Sequence, residues 1–182
     1  MKKQRFSTKR IAICAVLTAI YIGLSMFSFI IGGVKVTIEG LPVIVAAVVL
    51  GPINAAIVGF LGEFMNQMLT YGFTPTTLLW TLPAVARGLF VGICLKAVNK
   101  SGRFPGWRGV AFFAICALSG MIASCFNTLA YYVDSKMFGY YNYALVLGAF
   151  WIRLAVGVVA SSVMAAVTIP VTLALRRAKL ID

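Results

Sequence analysis

Three charged side chains lie inside long apolar stretches of this sequence: Glu63, Arg87 and Arg153. Placing a charge among hydrocarbon chains costs several kcal/mol, so charges in such stretches usually mark a functional site. A guanidinium group binds a carboxylate through two parallel hydrogen bonds. Two arginines against one acid leave an excess of positive charge, which predicts a ligand that carries a carboxylate. The alternative is structural, with Glu63 paired to Arg87 or Arg153 as a link between helices.

Amide and aromatic side chains accompany these charges. Asn66 lies one helical turn after Glu63, and Tyr131 lies one turn after Asn127. Binding pockets combine apolar walls with a few placed polar groups, and aromatic rings stack on flat ligands. Tyrosines at the membrane interface also serve as anchors alone. The predicted substrate-binding residues are Lys35, Glu63, Asn66, Trp80, Arg87, Asn127, Tyr131, Tyr140, Tyr141 and Arg153.

Several kinds of catalytic group are absent from the sequence. It has no histidine, only four acidic residues and no phosphate-binding GxxxxGK[ST] motif. A histidine base, a histidine metal site and this type of ATP hydrolysis are therefore excluded. We expect a protein that binds a molecule rather than an enzyme, with no metal and no cofactor.

The elements that must position these residues are membrane-spanning helices. Hydrophobic residues make up 62% of the chain and charged residues only 11%, whereas soluble domains carry roughly 25% charged residues. Residues 11–31, 41–62 and 110–133 contain no charge. About 20 apolar residues cross the hydrocarbon core of a bilayer, and backbone groups in lipid must bond internally. The sequence therefore predicts an all-α integral membrane protein.

The basic residues lie beside the ends of the apolar runs, and they give the chain a net charge of +12. Cytoplasmic segments of membrane proteins collect Lys and Arg in this way, and anionic lipid headgroups attract such clusters. A nucleic-acid-binding protein would need one contiguous basic face. The interpretation is a multi-pass protein of a bacterial-type cell membrane with cytoplasmic N- and C-termini. The three clusters are Lys2, Lys3, Arg5, Lys9 and Arg10; Lys96, Lys100, Arg103 and Arg108; and Arg176, Arg177 and Lys179.

A bundle of six transmembrane helices is predicted, at residues 10–30, 39–50, 53–70, 75–97, 109–133 and 144–176. The Gly51-Pro52 pair separates the second and third helices, because proline ends one helix or starts the next. A single helix there would give five crossings in all, and the C-terminal basic cluster would then lie outside the cell. The second helix is short, so we expect it to be tilted or packed between neighbours. The first apolar run is too long for a signal peptide core, and residues 1–182 are interpreted as one domain.

Small residues recur every four positions on the first helix, at Ala15, Ala19 and Gly23. Such a ridge lets another helix approach closely. It indicates either packing inside the bundle or a docking surface for a partner protein, and spacing alone does not choose between them.

Four features together resemble the S component of energy-coupling factor (ECF) vitamin transporters. They are the basic N-terminus, the Ala15-xxx-Ala19 ridge, the segment LPVIVAAVVLGP at residues 41–52, and the small-residue helix from Gly59 to Glu63. The resemblance implies a membrane-embedded subunit that binds a water-soluble vitamin. It would dock through its first helix onto a T subunit that works with two ATPase subunits, and it would topple in the bilayer to carry the vitamin inward.

The segment Asn127-Thr128-Leu129, a tyrosine-rich outer loop and Arg153 resemble the folate-specific members. Folate is therefore the expected ligand, and pantothenate, a pyridoxine-type vitamin and a queuosine precursor remain open. An alternative class is a small stand-alone secondary transporter for an organic acid, in which Glu63 couples transport to an ion gradient.

Overall fold

The computed structural model of the chain describes residues 8–31, 34–98 and 106–177. Lys35 and Arg108 lie inside these ranges, but their side chains are not described. The described elements are α1 (Thr8–Ser25), β1 (Ser28–Ile31), β2 (Val34–Thr37), α2 (Leu41–Val49), α3 (Pro52–Tyr71), α4 (Thr77–Val98), α5 (Gly106–Met137), a π-helical turn (Ala144–Gly148) and α6 (Phe150–Arg177). Of the basic clusters, Lys2, Lys3, Arg5, Lys100, Arg103 and Lys179 lie outside the described residues.

The prediction of six helices is confirmed. The first helix, however, ends at Ser25 rather than at residue 30, and an antiparallel hairpin follows it. In this hairpin Ser28 pairs with Thr37 and Phe29 pairs with Val36. The hairpin was not predicted, because the predicted helix boundaries at residues 30 and 39 left the segment between them as a loop. The sequence carries a hairpin signal, since two runs rich in β-branched and aromatic residues flank Gly32-Gly33.

The second helix is short and buried, as expected. With nine residues, α2 is about 14 Å long, which is less than half the thickness of a hydrocarbon core of about 30 Å. Its residues from Pro42 to Ala47 are buried, and it packs between α3, α4 and α6. Gly51 has a φ of 90°, a conformation that favours glycine, and this residue separates α2 from α3.

The helices α3 and α4 approach closely along three glycines. A methyl group added at Gly88 would lie 2.8 Å from the carbonyl carbon of Ala55, and one added at Gly59 would lie 2.8 Å from the carbonyl oxygen of Ala84. At Gly92 the added carbon would meet Pro52. Because α3 carries Glu63 and α4 carries Arg87, this crossing fixes the relative position of two candidate site residues.

Four segments of the described chain are long and apolar enough to cross a membrane. They are Thr8–Ser25, Thr77–Val98, Gly109–Met137 and Ala144–Leu175. The helix α3 has 20 residues but carries several amide and acidic side chains, which it buries against other helices. The chain is an all-α integral membrane protein to which one short hairpin is added.

The bundle has two chemically different ends. At one end Arg10 and Asn54 line the same groove, and the side chain of Lys96 packs against Gly51. We call this the basic end. At the other, Thr76 at the start of α4 donates a hydrogen bond to Asp134 in α5. We call this the cavity end.

The helix α5 is longer than predicted, because it continues to Met137 instead of ending at residue 133. Asp134, which the predicted end at residue 133 leaves outside the helix, therefore lies in the last turn of α5. The difference brings a third acidic side chain into the bundle, next to the predicted site.

Candidate substrate-binding cavity

A cavity of about 580 Å³ lies within the bundle, and every α-helix except the short α2 contributes to its wall. It brings together eight of the ten predicted substrate-binding residues; that they bind a ligand stays a prediction. The eight are Glu63, Asn66, Trp80, Arg87, Asn127, Tyr131, Tyr140 and Arg153.

The remaining two predicted residues are placed differently. Tyr141 does not line the cavity; its ring packs against Tyr132 with a centroid distance of 5.6 Å, and Nζ of Lys136 lies 4.0 Å from its centroid. The side chain of Lys35 lies outside the described part of the chain. Tyr141 was predicted together with Tyr140 as a tyrosine of the outer loop, and of these two only Tyr140 lines the cavity.

Glu63 is the centre of a hydrogen-bond network between α1 and α3. Its Oε2 accepts a hydrogen bond of 2.8 Å from the Tyr21 hydroxyl and one of 3.2 Å from Nδ2 of Asn66. Its Oε1 accepts one of 2.7 Å from Nε2 of Gln67. Among the described hydrogen bonds none joins Glu63 to an arginine, so the structural pairing with Arg87 or Arg153 is not observed.

Arg87 projects from the middle of α4 into the inner part of the cavity. Its guanidinium packs against Gly40, where an added methyl group would overlap it. Its Nε is buried and has no hydrogen-bond partner among the described residues. Tyr21 interacts electrostatically with Arg87 as well as with Glu39 and Glu63, so these four polar groups form one inner cluster.

Arg153 has partners within the protein. Its two terminal nitrogens donate hydrogen bonds of 3.1 Å to the carbonyl of Val146 and 2.5 Å to the carbonyl of Leu145. Its guanidinium also lies 4.8 Å from the centroid of the Tyr131 ring. A π-helical turn leaves carbonyls without the usual i+4 partners, and Arg153 holds two of them. It therefore has fewer free donors than a pure ligand-binding arginine.

Aromatic rings and one acid form the outer part of the cavity. The Trp80 and Tyr131 rings meet edge to face at 6.4 Å, and the Tyr131 and Tyr140 centroids are 6.1 Å apart. Asp134 accepts hydrogen bonds from Thr76 and Tyr140 and one of 3.4 Å from Nε1 of Trp80. Partial burial and this bond to Asp134 raise the pKa of Tyr140 above its ordinary value, so its hydroxyl stays protonated and remains a donor.

The sequence analysis missed several cavity residues. The most informative are Tyr21, Glu39, Gln67 and Asp134. Gln67 carried a usable signal, since it lies one turn from Glu63 on the same face. The predicted helix boundaries put Glu39 at the start of the second helix and Asp134 just after the fifth, both near the membrane surface. Tyr21 gave no signal, because a tyrosine in an apolar run is common.

The charges around the cavity differ from the expectation. The described lining residues include three carboxylates, Glu39, Glu63 and Asp134, and two guanidinium groups, Arg87 and Arg153. The predicted excess of positive charge was based on Glu63 as the one opposing acid. It is not present in the described lining.

The small-residue ridge lies on the outer face of α1. Ala15, Ala19 and Gly23 are all exposed, and nothing lies within 4 Å of a methyl group added at Gly23. Ala15 and Ala19 line a largely apolar groove between α1 and α3. The ridge is therefore not used for packing within the described bundle, and its docking role stays a prediction.

Comparison with known proteins agrees with the resemblance. A search of curated proteins found no match to this chain. The model of the family described as the ECF-type riboflavin transporter, S component, matches residues 5–177. S components are the substrate-binding membrane subunits of ECF transporters, and they work with T and ATPase subunits. The chain therefore belongs to the family of ECF-type riboflavin transporter S components and is a substrate-binding subunit of an ECF transporter.

Proposed function

We propose that this chain captures an uncharged, flat-ringed vitamin of the riboflavin type in the cavity. It then delivers this vitamin inward together with a T subunit and two ATPase subunits. The proposal rests on the cavity, whose outer part is lined by aromatic rings. Its described lining also includes three carboxylates and two guanidinium groups. The matching family is described as a riboflavin transporter component, which supports the same choice.

The aromatic residues support a flat ligand. Trp80, Tyr131 and Tyr140 lie together in the outer part of the cavity, with ring centroids 6.1 Å and 6.4 Å apart in successive pairs. Aromatic rings contribute large apolar contact areas and about 0.5–1.5 kcal/mol per ring pair beyond burial. A fused ring system fits this environment better than a branched aliphatic vitamin such as pantothenate does.

The charges argue against the folate expectation. Folate carries carboxylates that would enter a cavity already lined by Glu39, Glu63 and Asp134. Like charges in a poorly solvated site repel one another, and one of them must take up a proton. Arg153 offers little compensation, because two of its nitrogens already bind backbone carbonyls. An uncharged ligand avoids this cost, so we place riboflavin before folate.

The proposed orientation places the cavity end outside the cell. The basic clusters of the sequence favour the cytoplasm for the basic end. The vitamin would then enter between the hairpin β1–β2 and the segment after α5, since Val36, Thr37 and Phe138 line the same cavity. The exposed ridge of Ala15, Ala19 and Gly23 would contact the T subunit.

The proposal is tested by ligand titration of the purified protein in detergent. Riboflavin and folate are each added, and binding is followed by the quenching of ligand or tryptophan fluorescence. We expect riboflavin to bind at least tenfold more tightly than folate, which corresponds to about 1.4 kcal/mol. Any ligand that co-purifies is identified by mass spectrometry.

A matched pair of variants shows whether binding takes place in this cavity. Trp80→Leu removes an aromatic wall and should weaken riboflavin binding by about tenfold or more, since aromatic contacts contribute strongly at such sites. Trp151→Leu is the control, because Trp151 is 74% exposed and does not line the cavity. Tighter binding of folate than of riboflavin would refute the charge argument, and equal losses in both variants would refute the location.

A further inference from the structure

The cavity is chemically different at its two ends, and the helix geometry gives their separation. Trp80 and Arg87 are seven residues apart on α4, which is two turns on the same face and about 10 Å along the axis. The outer part is aromatic, with Trp80 and Tyr131 in edge-to-face contact. The inner part holds Arg87, Glu63 and the polar groups around them. A ligand that contacts both residues can therefore place one part against Trp80 and another part against Arg87.

The inner part offers one unused donor. A guanidinium group has five N–H donors and no acceptor, and Nε of Arg87 is buried without a partner among the described residues. Leaving a buried donor unsatisfied is costly. An oxygen atom of a ligand at this position would remove that cost.

The inner part also offers one unused acceptor position. An ionised carboxylate has about four acceptor positions, and Glu63 accepts hydrogen bonds from Tyr21, Asn66 and Gln67. Oε2 takes two of these bonds and Oε1 takes one. A second position on Oε1 therefore remains for a donor. Glu63 is 8% exposed and lines the cavity, so a ligand donor inside the cavity can fill this position.

We propose that the substrate binds with its ring in the outer, aromatic part and with a hydroxylated chain in the inner part, against Arg87 and Glu63. A hydroxyl group is both a donor and an acceptor. One hydroxyl can thus accept from Nε of Arg87, and it or its neighbour can donate to Oε1 of Glu63. A carboxylate in place of the chain could satisfy Arg87 but would repel Glu63. This inference rests on the proposed function and specifies which part of the vitamin each part of the cavity recognises.

The test compares two flavins that differ only in the chain. Riboflavin carries the hydroxylated chain, and lumiflavin has the same ring with a methyl group in its place. We expect the wild-type protein to bind riboflavin about 10- to 150-fold more tightly than lumiflavin, the range for hydrogen bonds to charged groups. Arg87→Met should weaken riboflavin binding by a similar factor and leave lumiflavin binding within about twofold. Trp80→Leu should weaken both flavins equally.

Two further variants keep the test decisive. Arg87→Lys retains the charge and should fold even if Arg87→Met does not. The Arg87→Lys protein should lose part of its affinity for riboflavin and none of its affinity for lumiflavin. Arg10→Met, at the basic end and outside the cavity, should change neither. Equal weakening of both flavins by the Arg87 variants would overturn the orientation, and so would equal wild-type affinity for the two flavins. If the wild-type protein binds neither flavin, the proposed function itself fails, and the orientation fails with it.

Discussion

The close crossing of α3 and α4 can be tested with the substitution Gly88→Ala. The added methyl carbon would lie 2.8 Å from the carbonyl carbon of Ala55, 2.9 Å from its oxygen and 3.0 Å from the Ala56 nitrogen. All three are backbone atoms, which cannot rotate away as a side chain does. An ordinary carbon–carbon contact is about 3.5 Å, so the two helices must separate by about 0.7 Å.

Overpacking of this kind costs about 1–3 kcal/mol. For a chain of this size the cost lowers the midpoint of thermal unfolding by roughly 2–12 °C. The movement also displaces Trp80 and Arg87 on α4 relative to Glu63 on α3, so ligand affinity should fall as well. Thermal unfolding in detergent, followed by circular dichroism, measures the first effect, and riboflavin titration measures the second.

The matched control is Gly23→Ala on α1, where nothing lies within 4 Å of the added methyl group. Alanine has the higher helix propensity, by up to about 1 kcal/mol, so this variant should be as stable as the wild type or more so. If Gly88→Ala proved as stable as Gly23→Ala, α3 and α4 would not be in the contact described here, and the site geometry built on that contact would be wrong.

Substitutions at three other places test the docking ridge, the role of Arg153 and the orientation of the chain in the membrane. Replacing both Ala15 and Ala19 with Trp should abolish uptake in cells while riboflavin binding by the purified protein is retained; loss of binding as well would show that the ridge supports the fold. Arg153→Met should lower the midpoint of thermal unfolding and weaken riboflavin binding less than Arg87→Met does, because Arg153 already binds the carbonyls of Leu145 and Val146; the reverse order in titrations would contradict this assignment. A single cysteine is introduced at Tyr143 or at Ser101 in a variant without the four native cysteines. A membrane-impermeant thiol reagent added to intact cells should label the cysteine at Tyr143, which is 68% exposed, and should not label the one at Ser101. Labelling at Ser101 would refute the proposed orientation.

The helices were predictable because hydrocarbon imposes a strong constraint on sequence. A span needs about 20 apolar residues, so the long apolar runs were visible in composition. The Gly51-Pro52 pair and the positions of the basic clusters then gave the count of six helices. The polar exceptions inside these spans were equally visible. Glu63, Asn66 and Arg87 were selected for that reason, and the structure places all three around one cavity.

The missed residues lie where that constraint is weak. Near helix ends polar side chains reach water and cost little, so Glu39 and Asp134 did not stand out from ordinary surface residues. The partners of a buried group are also set by tertiary contacts. The sequence spacing offered two arginines for Glu63, but the structure gives it Tyr21 from α1, 42 positions away, together with two amides of its own helix.

Arg87 is a guanidinium in the middle of α4 that lines the cavity. Removing one member of a buried set of charges destabilises a protein, and Arg87 interacts electrostatically with Tyr21 and Glu39. Its Nε nevertheless has no partner in the described structure. The interactions with Tyr21 and Glu39 leave this Nε unsatisfied, and the proposed ligand would supply the partner that it lacks. A ligand hydroxyl that reaches this buried Nε would gain a charged hydrogen bond without displacing an internal one. Arg153 differs from Arg87, because it already donates hydrogen bonds to two carbonyls of the π-helical turn. This role in the fold is sufficient to account for its position.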